Sequence, residues 1–311
     1  MKNILVLTDF TIRSKNAAEF AVQLAIQSKA NIILCNVLEA TTSITTGAEM
    51  KWPVVENSAF KDESIFDLTV LDKRLKKIIS ESEAPFKPDI NFLSETGFLS
   101  EVTNRIIRER HVEMVVIGSH KSSAFARLIF GSHTHILLDK INCPILLVPI
   151  NAKFRGINKI IYATDQSFND TRVIDYLVKL AQPFQASVLV NHISKTGDNL
   201  EEQESSIVEI NENNIAANDS PIIYSNIKGH DVKKSLIKMI DAGEVDIVTL
   251  VHKKYDLLTQ IFHKSISKHI ADSTEVPLLI MPHTFNIDTP DYTPNQLDHY
   301  LYETAQRNDI R

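Results

Sequence analysis

INKIIYATDQS, from Ile157 to Ser167, reads as a strand, a turn and the start of a helix, and MKNILVLTDFT, from Met1 to Thr11, reads the same way. In each, a short apolar run is broken by a Thr-Asp pair, and laying Thr8-Asp9 on Thr164-Asp165 sets an offset of 156 residues. The same offset lays Asn36-Val37 on His192-Ile193 at the end of the next apolar run. A repeat of this length means two copies of one domain in tandem, and 311 residues suit two cores of about 150 better than one.

Outward from these openings the halves stay parallel. The helix after each Asp carries apolar residues at i, i+3, i+4, i+7 and i+8: Ala17, Phe20, Ala21, Leu24 and Ala25 in one, and Val173, Tyr176, Leu177, Leu180 and Ala181 in the other. Each half closes on a similar run, NCPILLVP from Asn142 to Pro149 and EVPLLIMP from Glu275 to Pro282, now at an offset of 133. The first half therefore holds 23 extra residues, which we assign to 40–66, a Thr- and Ser-rich stretch read as a long loop or lid. Between the landmarks, helices are predicted at 68–82, 99–110, 200–214 and 232–242, and strands at 89–93, 114–117, 222–226 and 246–251. Val- and Ile-rich strands alternating with helices predict an α/β fold, a five-stranded, doubly wound parallel sheet in each half. Domain boundaries are expected at 1–152 and 153–283, with a C-terminal extension over 284–311. The end strands Ile145–Val148 and Leu278–Met281 are expected to pair, packing the halves as a pseudo-dimer.

Composition narrows the function classes. A net charge of -6 provides no basic footprint for phosphates along a duplex, so nucleic acid is not an expected partner. No segment reaches the roughly 18 apolar residues of a membrane span, and Ile4–Leu7 is too short for a signal-peptide core. Cys35 and Cys143 both lie in strand-like runs, which predicts reduced, buried thiols and a cytoplasmic location.

In doubly wound sheets ligands sit outside the carboxyl ends of the strands, where the strand order reverses. The loop after the fourth strand reads Gly118-Ser119-His120-Lys121, then Ala126-Arg127-Leu128-Ile129-Phe130-Gly131-Ser132 and a helix. Gly118 allows the backbone to turn sharply and approach a ligand closely, and Gly131-Ser132 opens a helix whose free N–H groups favour an anion. Ser132 is equally suited to capping that helix. In the second half Val251, Lys264 and Ser265 stand where Gly118, Gly131 and Ser132 do, so the phosphate loop is dismantled there. Asp165 reads as a helix cap. His133 and His135, two apart on a helix, cannot grip one ion together, so no metal site is assigned to the histidines.

The run GSHKSSAFARLIFGSHTHILLDKINCPILLVP, together with Thr8-Asp9, resembles the closing segment of the universal stress protein family, whose ATP-binding members carry Gly-x-x-Gly, nine residues, then Gly-Ser or Gly-Thr. The resemblance covers 1–150 and, through the repeat, most of the chain to Pro282. It implies an adenine nucleotide alpha hydrolase-like, Rossmann-like domain. It also places Thr8, Asp9 and Val37 near a nucleoside, Ile117 and Gly118 at the ribose or phosphate entrance, and Gly131, Ser132 and His133 around the phosphates. The second glycine of the pattern is Lys121, which either obstructs the loop or supplies a cation to a phosphate. The implied ligand is ATP, with Mg if bound, in the first half alone, and no catalytic set is identified. Two other readings stay open, a non-nucleotide adaptor that presents 40–66 and the tail to a protein or another small ligand, and a very weak ATPase; a homo-dimer or a protein partner is also open.

Overall fold

The structure is a computed structural model and describes residues 2–38, 57–119, 137–164, 170–194, 222–228, 244–252, 275–282 and 285. The first half contains β1 (Asn3–Leu7), α1 (Ile12–Ser28), β2 (Asn31–Leu38), α2 (Asn57–Glu81), β3 (Ile90–Thr96), α3 (Leu99–Arg110), β4 (Val112–Ser119) and β5 (Ile145–Pro149). The second contains β6 (Lys159–Thr164), α4 (Thr171–Ala181) and a single 3-10 turn (Gln182–Phe184), then β7 (Ser187–Ser194), β8 (Ile222–Lys228), β9 (Ile247–His252) and β10 (Leu278–Pro282). The helices expected at 200–214 and 232–242 lie outside the described residues.

The ten strands form one sheet in the order β3-β2-β1-β4-β5-β10-β9-β6-β7-β8. Every neighbouring pair is parallel except β5 and β10, which run antiparallel with Leu147 opposite Leu278 and Ile145 opposite Ile280. The expected pairing of the end strands is thus the seam of the molecule. The pairing register carries the repeat residue by residue. Leu7 faces Cys35 as Ala163 faces Asn191, at the offset of 156, and Gly118 faces Val148 as Val251 faces Met281, at the offset of 133. Ile32 faces Ile90 as Val188 faces Ile222, an offset of 132 at the third strand, so the first half's excess lies between β2 and β3.

That excess is not all loop. α2 begins at Asn57 rather than Leu68, so the last ten residues of the expected loop 40–66 are helical, while 40–56 lie outside the described residues. The early turns of α2 escape a periodicity search because Phe60, Ile65 and Phe66 are exposed, and the buried stripe starts on the polar Ser64 before Leu68, Leu71, Leu75 and Ile79.

Alternation along each strand builds a core on either face of the sheet. Ile4 and Val6 of β1 join Leu146 and Val148 of β5 and Leu279 and Met281 of β10 beneath α1, α2 and α4. Leu5 and Leu7 join Ile145, Leu147, Leu278 and Ile280 on the α3 side. Both cores therefore run without a break across the seam. Above it, Phe20 of α1 meets Phe154 edge-on at 5.2 Å between ring centroids, and Phe154 reaches Phe184 at 6.2 Å. Asn16 of α1 donates to the carbonyls of Pro149 and Ala152, both at 3.0 Å, fixing the start of the connection between the halves. His252 of β9 lies 2.8 Å from Asp139 of the first half. The predicted burial of Cys35 and Cys143 holds, and neither is in a disulfide.

Candidate functional site

In the first half, β1 lies between β2 and β4, so the chain leaves β1 on one side and returns on the other. This reversal opens a crevice beyond the carboxyl ends of β1 and β4. Thr8, Asp9, Val37, Ile117 and Gly118 all stand at these strand ends, as the sequence predicted: Leu7 is opposite Ile117 and Leu38 opposite Thr96. Lys121, Gly131, Ser132 and His133 lie outside the described residues.

Thr8 closes β1. Its N–H donates to the Cys35 carbonyl at 2.9 Å, and its hydroxyl donates to Ser14 Oγ at 3.2 Å and accepts from the Phe10 N–H at 3.1 Å. Phe10 then takes φ 59, a left-handed conformation uncommon for a bulky side chain. The turn so formed brings Asp9 back over the first turn of α1. Asp9 Oδ1 accepts from the Thr11 N–H at 3.2 Å and its hydroxyl at 2.5 Å, while Oδ2 pairs with Arg13 Nη2 at 2.7 Å. Partial burial pushes this carboxyl up, but hydrogen bonds from Thr11, Arg13 and Ser14 outweigh it and hold the pKa well below the usual carboxylate range. Asp9 thus enters the crevice as a fixed anion at the positive end of a helix.

Gly118 occupies the last turn of pleat in β4 rather than the loop after it, because β4 runs on to Ser119. A Cβ here would stand 2.4 Å from the carbonyl oxygen of Arg13 and 2.8 Å from the N of Ser14. The close approach that requires glycine is therefore to the backbone of α1. By seating the first turn of α1 against the end of β4, Gly118 sets the width of the crevice and the position of Asp9 above it. Val37 and Ile117 are half-buried and pack against the core on the α3 side.

A polar chain missed in the sequence backs the site. Asn36, buried beside Val37, donates to the Thr8 carbonyl at 2.8 Å and accepts from Ser64 of α2 at 2.9 Å, and Ser94 of β3 donates to Ser64 at 2.8 Å. Asn36 is legible as a polar break in NIILCNVL, and Arg13 as the partner four residues from Asp9. Ser64 and Ser94 carry no such signal, since they come from different elements. Below Asn36, burial pushes the Cys35 thiol up to about 12, keeping it neutral.

The second half repeats the scaffold with other chemistry. Asp170 takes the place of Ser14 and accepts from Thr164 at 2.6 Å and Tyr162 at 2.5 Å. Buried Val251 takes the place of Gly118. Asp165 and Lys264 lie outside the described residues.

Comparison with known proteins identifies the fold and the family together. Residues 1–149 match the model of the Universal stress protein family. The first half of the chain is thereby a universal stress protein family domain. Among solved structures, a universal stress protein from Archaeoglobus fulgidus DSM 4304 aligns with 90% of this chain and 98% of its own, at 16% identity and a TM-score of 0.64. The cytoplasmic domain of a prokaryotic cation chloride cotransporter aligns with 92% of this chain and 97% of its own, at 9% identity and a TM-score of 0.53. At these identities the likeness is one of fold, the tandem α/β sheet described above. No curated protein sequence matches the chain. No helix among the described residues is long and apolar enough to cross a membrane.

Proposed function

We propose that this universal stress protein binds one adenine nucleotide per chain, in the crevice of the first half, and that the second half serves as its packing partner without a nucleotide site of its own. The protein works by binding rather than by catalysis. The observation that carries the reading is the contrast at one sheet position: Gly118 in β4 lets α1 close down beside Asp9, whereas the equivalent residue of β9 is Val251. The nucleoside end of the ligand lies over Asp9 and Val37, and the phosphates over Gly131 and Ser132.

For ATP the weak point of a metal-centred model is Asp9, whose two oxygens already accept from Thr11 and Arg13. The remaining lone pairs suit a ligand N–H or O–H, so Mg would ride on the phosphates rather than on Asp9. A second reading, a non-nucleotide adaptor, is favoured by Phe66 and Val70, one turn apart on the outer face of α2 and 67% and 51% exposed.

Calorimetry with ATP separates the two. Gly131→Val adds a branched Cβ where the sequence motif calls for a phosphate-facing glycine. Losing two phosphate hydrogen bonds, each worth about 1.5–3 kcal/mol when charge-assisted, weakens ATP more than tenfold. Lys121→Gly strengthens ATP if the lysine obstructs the loop and weakens it if the lysine contacts a phosphate. No heat of binding from either the native chain or Lys121→Gly transfers the case to the adaptor.

A further inference from the structure

At the amino-terminal ends of β1, β4 and β5, the opposite edge of the sheet from Asp9 and Gly118, lies a cavity of about 340 Å³. That volume falls in the range of small-molecule pockets, roughly 300–1,000 Å³. Met114 and Cys143 line it from the first half, and Tyr176, Lys179 and Leu180 of α4 line it from the second, with Phe285 beyond β10. The cavity is therefore complete only when both halves are present.

Its walls are fixed. Tyr176 crosses from α4 to the first half, donating its hydroxyl to the Glu113 carbonyl at 3.2 Å, and its ring meets Phe285 edge-on at 5.5 Å between centroids. With Met114 and Cys143 buried on the facing side, the interior offers a flat apolar body a preformed seat. The rim is cationic. Its one carboxylate among the described residues, Glu113, already lies 3.5 Å from Lys2. Lys179 is exposed and has no ion-pair partner among the described residues, which leaves one positive charge at the mouth to be answered.

We propose that this cavity is a second ligand site, separate from the nucleotide crevice, which takes a small organic anion with an aromatic or branched apolar body. The body lies against Tyr176, Phe285 and Met114, and the anionic group meets Lys179. Because α4 supplies one wall and the first half the other, occupancy braces the seam between the halves.

The test is an NMR titration of the full-length, isotope-labelled chain with 4-phenylbutyrate, compared with the cation 4-phenylbutylamine. The acid is expected to give saturable shifts at the amides of Ile4, Met114 and Leu180, and to bind about tenfold or more tighter than the amine, the worth of one charge-assisted contact. Lys179→Glu should weaken the acid by at least that factor, and Ser28→Phe, which fills the cavity from α1, should abolish binding of both probes. Should Ser28→Phe fail to fold, the exposed Lys179→Glu still decides. Acid and amine binding equally, an unchanged affinity in Lys179→Glu, no saturable shift at millimolar acid, or shifts confined to the Thr8–Gly118 end would each overturn the proposal.

Discussion

The carboxylate of Asp9 is held by Thr11 and Arg13 before any ligand arrives, and that local order belongs to the folded chain alone. Its pKa is lowered on folding, so the stabilisation is complete above the unfolded value near 4 and is lost as the pH falls below it towards the folded value. Asp9→Asn should therefore destabilise the protein at neutral pH, by about 0.5–1 kcal/mol because the side chain is 48% exposed and screened by solvent. Chemical denaturation of the two proteins from pH 7 to pH 3 should show a difference that is constant down to about pH 4 and shrinks below it. A difference that grows as the pH falls would contradict the assignment. Arg13, legible only as a partner four residues from Asp9, has the same standing, since it fixes the carboxylate that faces the crevice.

Between elements, the decisive contact is β4 on α1. Gly118→Ala places a Cβ within 2.4 Å of the Arg13 carbonyl, so α1 must shift or β4 must bend. Overpacking of this kind costs about 1–3 kcal/mol. The loss should appear in thermal unfolding without any nucleotide, whereas a glycine needed only for ligand approach would leave the ligand-free Tm unchanged. The sequence made this residue conspicuous but misassigned its neighbour, because spacing in a chain carries no information about which backbone a strand end will meet. The repeat of the strands and the seam were legible for the opposite reason. Each rests on a repeat, and Thr8-Asp9 and the two Pro-bounded end runs return at fixed offsets that the pairing of β1, β2, β4 and β5 reproduces in β6, β7, β9 and β10. The chain of Asn36, Ser64 and Ser94 was not legible, since it joins β2, α2 and β3 through side chains 28 and 30 residues apart. Nor was the start of α2, where outward-facing Phe60 and Phe66 mask the helical period.

At the scale of the molecule, neither half owns a closed core. The clusters on both faces of the sheet pass through β5 and β10, and Phe20, Phe154 and Phe184 tie α1 to the turn after α4. Cooperative units follow shared packing, so scanning calorimetry should show one unfolding transition whose calorimetric and van't Hoff enthalpies agree. Two resolved transitions would mean that the halves melt as independent domains and that the seam adds little.

The same continuity sharpens the functional question, because two halves of one fold share one sheet yet differ at the position that sets the crevice, Gly118 against Val251. Native mass spectrometry of the purified chain across an ATP titration reads the outcome directly. The account predicts saturation at one nucleotide per chain, abolished by Gly131→Val; two nucleotides per chain, or one that survives Gly131→Val unchanged, would contradict it.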